Sequence, residues 1–319
     1  MAWRIPGSGG KAALVCSTGG HLAELLRLEA SFGRHPDSLW ITFDTPQSRQ
    51  LLEGRRVAML PYIGPRDLRG TLAAVGPIHR FLRSEPFDAA ISTGAAVATA
   101  ALPLAASLGI ASTYVESVCR VEGPSTTGRL LQNVPAVHLR TQTPAWAGGR
   151  WHECQSVLST YRPTPRRRTG RRLFVTLGTI RGYRFDSLVD ALLASGLVDD
   201  TTVWQLGETS RDDLPGRVYD EMPPEQFVEE ALNADVVISH AGVGTLLEML
   251  SLGVFPVIAT RAAARGEHVD DHQAEIAALV NELGIGIAVD GPDVTAAVLD
   301  VAATRTIVDD LAAPVRRAA

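Results

Sequence analysis

The chain is poor in the features that announce a specialised class. It has three cysteines, Cys16, Cys119 and Cys154, in 319 residues. They are odd in number and widely spaced, which excludes a disulfide framework or a metal knuckle and fits a reducing compartment. There is no excess of positive charge: 30 Lys and Arg against 35 Asp and Glu give a net charge of −5 and a pI near 5.9. General nucleic-acid affinity is therefore not indicated. Long apolar runs are also missing. MAWRIPGSGGKAALVC lacks the apolar stretch of a signal peptide. The most lipid-like segment, Ala95 to Ala111, is mostly alanine, contains Pro103 and falls short of a membrane span. It is expected to be a buried helix leading into a strand. A cytoplasmic location follows from these absences.

What the chain does have is an apolar fraction of 45% with a mean hydropathy of +0.08, the balance of a soluble globular protein. At 319 residues it is long for one core, and two domains of roughly 150 residues each are expected. Apolar runs at AALVC, LWITF, VAMLPY, DAAIS and ASTYV alternate with helical patterns such as HLAELLRLEASF and DLRGTLAAVGPIHRFLR. That alternation predicts a mostly parallel sheet with helices on both faces. After Ser156 the texture changes: STYRPTPRRRTGRR is rich in Pro and Arg without an apolar period, and it reads as a linker. The alternation restarts with RLFVTLG, TTVWQL, RVYD, DVVIS, FPVIA and GIAV. The expected architecture is α/β, with residues 1–155 and 173–319 as two doubly wound, Rossmann-like domains joined by residues 156–172. Such domains would face each other across a cleft at the carboxyl ends of their strands, where ligands of these sheets bind.

Five stretches carry chemistry. In VCSTGGHLAELL, Gly19 and Gly20 allow an unusual backbone path and a close ligand, and His21 opens a helix. A histidine there is either an ordinary surface residue or a group that takes a proton from a hydroxyl near neutral pH. Glu116 ends the strand in STYVES, as a surface carboxylate, a helix cap or a second candidate base. In FVTLGTIRG, Gly178 and Thr179 directly follow a strand. In DVVISHAGVGTLLEML the chain passes from a β-branched run to a helix within a few residues, and His240, Ala241, Gly242, Gly244 and Thr245 form a diphosphate-sized cradle. Its small residues admit a ligand, and the first helical N–H groups point at it. Glu248 lies one turn on, as either a solvated helix face or an acceptor for a ribose diol. ARGEHVDDHQAEIA then brings Arg265, His268, Asp270, Asp271, His272 and Gln273 into a polar loop and helix start. A metal site there would need His268 and His272 to share a helical face, yet the loop precedes the helix, so no metal is expected. No D-x-D occurs anywhere, which weakens a manganese-dependent nucleotide-sugar site.

At these residues a resemblance covers nearly the whole chain. STGGHLAEL and YVESVCRVEGPSTTGRLL resemble the acceptor-binding, membrane-recruiting subunit of the two-subunit transferase that adds the second N-acetylglucosamine to dolichyl-pyrophosphate-N-acetylglucosamine. LFVTLGT, ISHAGVGTLLEML and EHVDDHQAEIA resemble its partner, the donor-binding subunit. Bacterial exopolysaccharide transferase pairs share these motifs, and the peptidoglycan enzyme that forms lipid II shares the architecture. The resemblance implies a GT-B fold and inverting transfer from a UDP-sugar, without metal or cofactor, to a lipid-linked or small-molecule acceptor. It places Gly178 and Thr179 near the donor phosphates, residues 240–245 around uridine diphosphate, Glu248 on the ribose, and His272 and Gln273 toward the sugar. His268 and Asp271 belong to the same donor loop, and Arg265 is a candidate to meet the charge of departing UDP. His21 is the first candidate base and Glu116 the second. Gly19, Gly20, Arg120, Ser125, Thr127 and Arg129 fall on the acceptor side.

The acceptor subunit of the resembling pair begins with a membrane-spanning helix, and nothing before Lys11 suits that role. Attachment to the inner face of a membrane would then be peripheral, through RRRTGRR, which reads equally as a solvated hinge. Three other classes stay open: transfer to a soluble natural-product acceptor, a UDP-sugar 2-epimerase of the same architecture, and a non-catalytic UDP-sugar-binding module. A dinucleotide-dependent oxidoreductase needs a G-x-G-x-x-G after its first strand. CSTGGHLAEL has none, although Asp44 sits near the position of the ribose-binding acid.

Overall fold

A computed structural model describes residues 9–33, 35–64, 67–166, 170–178, 182–268 and 272–311. It divides into two compact units, Met1–Ser159 and Thr160–Ala319. In the first, the elements are β1 (Ala12–Cys16), α1 (Gly20–Phe32), β2 (Leu39–Phe43), α2 (Pro46–Leu51), β3 (Arg56–Leu60), α3 (Leu68–Arg83), β4 (Ala89–Gly94), α4 (Ala96–Ser107), β5 (Ala111–Val115), α5 (Thr126–Leu131), β6 (Val137–Thr141) and β7 (Trp151–Glu153). All seven strands run parallel in the order β3-β2-β1-β4-β5-β6-β7. Strands β1, β2 and β4 are buried at every residue, as continuous apolar runs covered on both faces must be. In α3 the buried residues Thr71, Ala74, Ile78 and Leu82 recur every three or four positions, one stripe of an amphipathic helix. The alanine-rich segment forms the buried helix α4 followed by β5, and among the described residues no helix is long and apolar enough to cross a membrane.

The second unit comprises β8 (Tyr161–Pro165), β9 (Leu173–Thr176), α6 (Asp186–Ser195), β10 (Val203–Gln205), β11 (Arg217–Tyr219), α7 (Pro224–Asn233), β12 (Val236–His240), α8 (Val243–Ser251), β13 (Val257–Thr260), α9 (His272–Leu283), β14 (Ile287–Asp290), α10 (Ala296–Ala303) and β15 (Arg305–Asp309). Its main sheet, also all parallel, has the order β11-β10-β9-β12-β13-β14. Both units thus start at a central strand, wind one way for two strands, return and wind the other way. This doubly wound plan, expected from the alternation of elements, puts the turns after β1 and β4, and after β9 and β12, on diverging paths. Those switch points are where such sheets hold ligands.

The Pro- and Arg-rich stretch departs from the expected linker. Residues 161–165 are strand β8, paired antiparallel with β15. Two prolines are tolerated there because of parity. The flanking bonds, Arg166 N to Thr304 O at 2.7 Å and Asp310 N to Thr160 O at 2.9 Å, fall on even-numbered residues of β8. Pro163 and Pro165 therefore occupy positions whose N–H would point away from β15, the edge placement that proline requires. Thr164→Pro should break this pattern and strand the Thr306 carbonyl, lowering the stability of the chain by about 2 kcal/mol in urea unfolding. An unchanged midpoint would refute the register argument.

Candidate functional site

In the first unit, the turns after β1 and β4 are tied where Ser17 N donates to the Gly94 carbonyl at 2.9 Å. Gly19 precedes α1 with φ of +78°, a conformation that glycine adopts without strain, and its N–H donates to Gln47 Oε1 at 2.7 Å. Gly20 is the first residue of α1, and His21 follows. The half-buried His21 ring lies against Gly94 (φ +118°), where a Cβ would come within 2.9 Å of its Cε1. Thr93 Oγ1 donates to the His21 carbonyl at 2.7 Å, and His21 Nδ1 is buried with no hydrogen-bond partner. Burial pushes the imidazole pKa down to about 4, opposed by the Thr93 backbone and reinforced by the charge of Arg120. At neutral pH the ring is therefore an uncharged proton acceptor.

Glu116 is not the free or surface carboxylate that its place at a strand end suggests. It is 1% exposed. Tyr114 OH donates to its Oε1 at 2.8 Å, with Ser117 N at 3.2 Å. Its Oε2 accepts from Ser125 N at 2.9 Å and Ser125 Oγ at 3.0 Å. With four donors committed, Glu116 anchors the loop that leads into α5, and it is neither a surface carboxylate nor a helix cap. Ser125 also caps α5, accepting from Gly128 N. Thr127 is half-buried and Arg129 exposed on that helix. The half-buried Arg120 has its carbonyl held by Trp146 Nε1 at 2.9 Å and Thr143 Oγ1 at 3.2 Å.

Sequence reasoning missed Glu24, which sits one turn after His21 and is fully buried. Its carboxylate accepts from Ser117 Oγ at 2.5 Å, Val118 N at 3.0 Å and Gln142 Nε2 at 2.7 Å, so it joins α1 to the ends of β5 and β6. The signal was available: Glu24 precedes Leu28 and Phe32 by four and eight residues, on the apolar stripe of α1. Burial drives its pKa up to about 7 against the three hydrogen bonds, with the charge of Glu116 adding to the rise.

In the second unit, His240 ends β12 and is buried, and its Nδ1 lacks a partner. Burial lowers its pKa to about 3, with the charges of Arg261 and His268 contributing. Gly178, after β9, faces it: a Cβ there would lie 3.0 Å from His240 Nε2 and 3.1 Å from Arg261 Nη1. Gly242, the residue before α8, admits no side chain either, since a Cβ would overlap His240 Nε2. Ala241 is buried, its N–H donating to the Ala259 carbonyl at 3.0 Å. Gly244 and Thr245 lie half-buried in the first turn of α8 and Glu248 is exposed one turn later. Residues 240–245 thus run from the end of β12 into the first turn of α8, whose start has no side-chain cap. His268 lies with its ring centroid 5.9 Å from that of Tyr183. Gln273 is buried, and its Oε1 accepts from Arg261 N at 3.0 Å. His272 opens α9, whereas Thr179 and Asp271 lie outside the described residues.

Arg265 is bonded to two carboxylates. Its Nε bonds Glu267 Oε2 at 2.8 Å, and its two terminal nitrogens straddle Asp290 at 3.1 and 2.8 Å, so its guanidinium is committed to holding a turn. The arginine that stands beside Gly178 and His240 is Arg261, which nothing in its sequence context singles out.

Comparison with known proteins agrees with this geometry. Residues 224–305 match the glycosyltransferase family 28 C-terminal domain, a span that includes β12, α8, β13 and α9. No curated protein matches the chain. Among solved structures, the chain is similar to MurG of Acinetobacter baumannii, with TM-score 0.54 and 18% identity over 91% of this chain and 89% of that one. It is similar also to the glycosyltransferase SnogD from Streptomyces nogalater, at 0.56 and 18% over 92% of each chain, and to CalG4, the calicheamicin glycosyltransferase, at 0.55 and 16% over 92% and 90%. The fold is that of GT-B glycosyltransferases, two Rossmann-like α/β units in one chain. Its second unit contains the family 28 segment.

The buried carboxylate gives a sign that can be checked. The pKa of Glu24 is raised from 4.5 to about 7, so the folded state holds a proton that the unfolded chain has released. Its contribution to stability is full below about pH 4.5 and lost as pH rises through about 7. Glu24→Gln keeps an acceptor for Val118 N and Gln142 Nε2 while donating to Ser117 Oγ, so it should abolish that loss. Glu24→Leu should cost about 2 kcal/mol at pH 4.5 by stranding those donors, and less as pH rises and the wild type loses its own contribution. Melting temperatures from pH 4.5 to 8 read both, and parallel profiles for wild type and Glu24→Gln would refute the protonation argument.

Proposed function

We propose that the protein is an inverting, metal-independent glycosyltransferase. It moves a sugar, with N-acetylglucosamine as first choice, from a UDP donor to a hydroxyl of a polyprenyl-pyrophosphate-linked sugar or similar acceptor. The observation that carries this reading is the β9/β12 switch point, where Gly178, neutral His240 and the start of α8 converge at residues flanking and within the family 28 match. The likeness of ISHAGVGTLLEML and EHVDDHQAEIA to a donor-binding subunit supports UDP-N-acetylglucosamine as the donor. In this reading the unpaired N–H groups of the first turn of α8 take the diphosphate. Glu248 accepts two hydrogen bonds from the ribose diol. His268, His272 and Gln273 lie toward the sugar, and Arg120, Ser125, Thr127 and Arg129 shape the acceptor side.

The reaction forms one bond from the acceptor oxygen to the anomeric carbon and breaks the bond from that carbon to the phosphate oxygen. The acceptor proton goes to His21, and the electron pair leaves with UDP. Donors fixed in advance around the departing phosphate stabilise its developing charge, and losing one such donor typically costs roughly 3 kcal/mol of barrier.

Thermal unfolding with UDP, UDP-N-acetylglucosamine, UDP-glucose, UDP-glucuronic acid, GDP-mannose and NAD tests the donor. Ligand at 100 times its dissociation constant adds roughly 2.7 kcal/mol. The melting temperature should rise with UDP and one UDP-sugar, and the rise should vanish in Glu248→Ala. A response to NAD alone, or to no uridine nucleotide, would sink the proposal.

His21→Asn should lower kcat by roughly 10²- to 10⁴-fold while leaving UDP-sugar binding intact. With a base whose pKa lies near 4, the wild-type kcat/KM should be level through neutral pH and fall only as pH drops toward 4. A limb bending near pH 7 would instead implicate Glu24.

A further inference from the structure

Arg261 is unusual among the arginines described. It is 2% exposed, yet no carboxylate among the described residues bonds it. Its Nε and Nη1 have no hydrogen-bond partner, and its single side-chain bond is a long one from Nη2 to the Gly178 carbonyl at 3.4 Å. The acid whose charge acts on it, Glu267, is already engaged by Arg265 Nε at 2.8 Å and Ala262 N at 3.1 Å. A buried charge left without a partner is costly, and the fold invests in keeping this one. Phe185 lies under the guanidinium, 5.2 Å from its centre to the ring centroid. Gln273 Oε1 fixes the Arg261 backbone at 3.0 Å. Its Nη1 sits on the side of Gly178 from which a side chain is missing, the side shared with His240 Nε2.

We infer that Arg261 is the cation of the donor site, held beneath the Gly178 turn so that its two unpartnered nitrogens meet the diphosphate of a nucleotide ligand. This rests on the proposed donor reading and adds to it a residue and a ligand group. The guanidinium fork suits phosphate oxygens better than an ammonium does. It stands at the carboxyl end of β13, beside those of β9 and β12, and together with neutral His240 it gives the cradle one full positive charge. The lowering of its pKa to about 10 by burial leaves it charged at neutral pH and unshielded by a partner.

The test uses the full chain and titrates UDP, UMP and uridine by calorimetry into wild type, Arg261→Met and Arg261→Lys. The wild type should prefer UDP to uridine. Arg261→Met should shrink that preference by roughly tenfold or more, with uridine affinity unchanged. Arg261→Lys should recover part of it, since the charge returns without the fork. If Arg261→Met does not fold, the lysine variant and the wild-type protein still decide. In the wild type, the guanidinium ¹⁵N–H resonance that is missing from the Arg261→Lys spectrum should move on adding UDP and stay in place with uridine. Equal weakening of UDP and uridine, or a resonance indifferent to UDP, would overturn the inference and leave Arg261 as a prop for the Gly178 turn. A wild type that binds none of the three ligands would overturn the donor reading itself.

Discussion

The structure depends on one constraint: every strand of a parallel sheet delivers the chain to the same end, and most of the strands here turn into a helix there. Each turn leaves helix-start N–H groups without partners. At a switch point the neighbouring turns diverge and nothing in the sheet satisfies them. Both units meet this constraint with the same means. Glycine stands where the backbone must bend or be approached, as Gly19 does before α1 and Gly242 before α8. A histidine ring packs against a glycine of the adjacent turn, His21 on Gly94 and His240 on Gly178.

That packing sets the charge of the site. Closing a ring against a glycine removes water from it, and burial is the leading cause of the low pKa of both histidines. A neutral imidazole accepts a proton or offers a hydrogen bond without repelling a cation, which is why His240 and Arg261 occupy one pocket. The same desolvation raises Glu24, whose three donors keep it ordered whether or not it holds a proton. Glycine geometry, burial and protonation state are thus linked steps.

Much of this was legible in the sequence. AALVC, LWITF and ASTYV are β1, β2 and β5 to the residue, because a strand covered on both faces must be apolar throughout. The two glycine turns were legible for the converse reason, since small residues in a strand-to-helix turn have few other uses. Strands β6 and β8 were not. In β6, His138 and Arg140 interrupt the apolar run, and β8 contains two prolines whose tolerance depends on which way their nitrogens face. Glu24 and Arg261 escaped, as did the burial of Glu116, for a shared reason: composition marks a charged residue as exposed, and only tertiary structure shows whether its partners are inside. Arg265 drew attention through its neighbours in RGEH, but two carboxylates engage it.

In the proposed reaction the two units put one topology to different uses. At the switch point of the first, the buried ionisable groups around His21 are carboxylates, Glu24 and Glu116, each saturated with donors from the loops they tie. Such a site presents shape and hydrogen-bonding groups, and the cation whose charge reaches His21, Arg120, is only half-buried. At the switch point of the second, the buried group is a guanidinium with open nitrogens beside an uncapped helix start, which suits an anion. Backbone geometry alone would not separate these roles, because β1-α1 and β9-α6 leave equivalent strands. The sign of the buried charge separates them, and it places the donor phosphates of the proposed reaction in the second unit and its acceptor in the first.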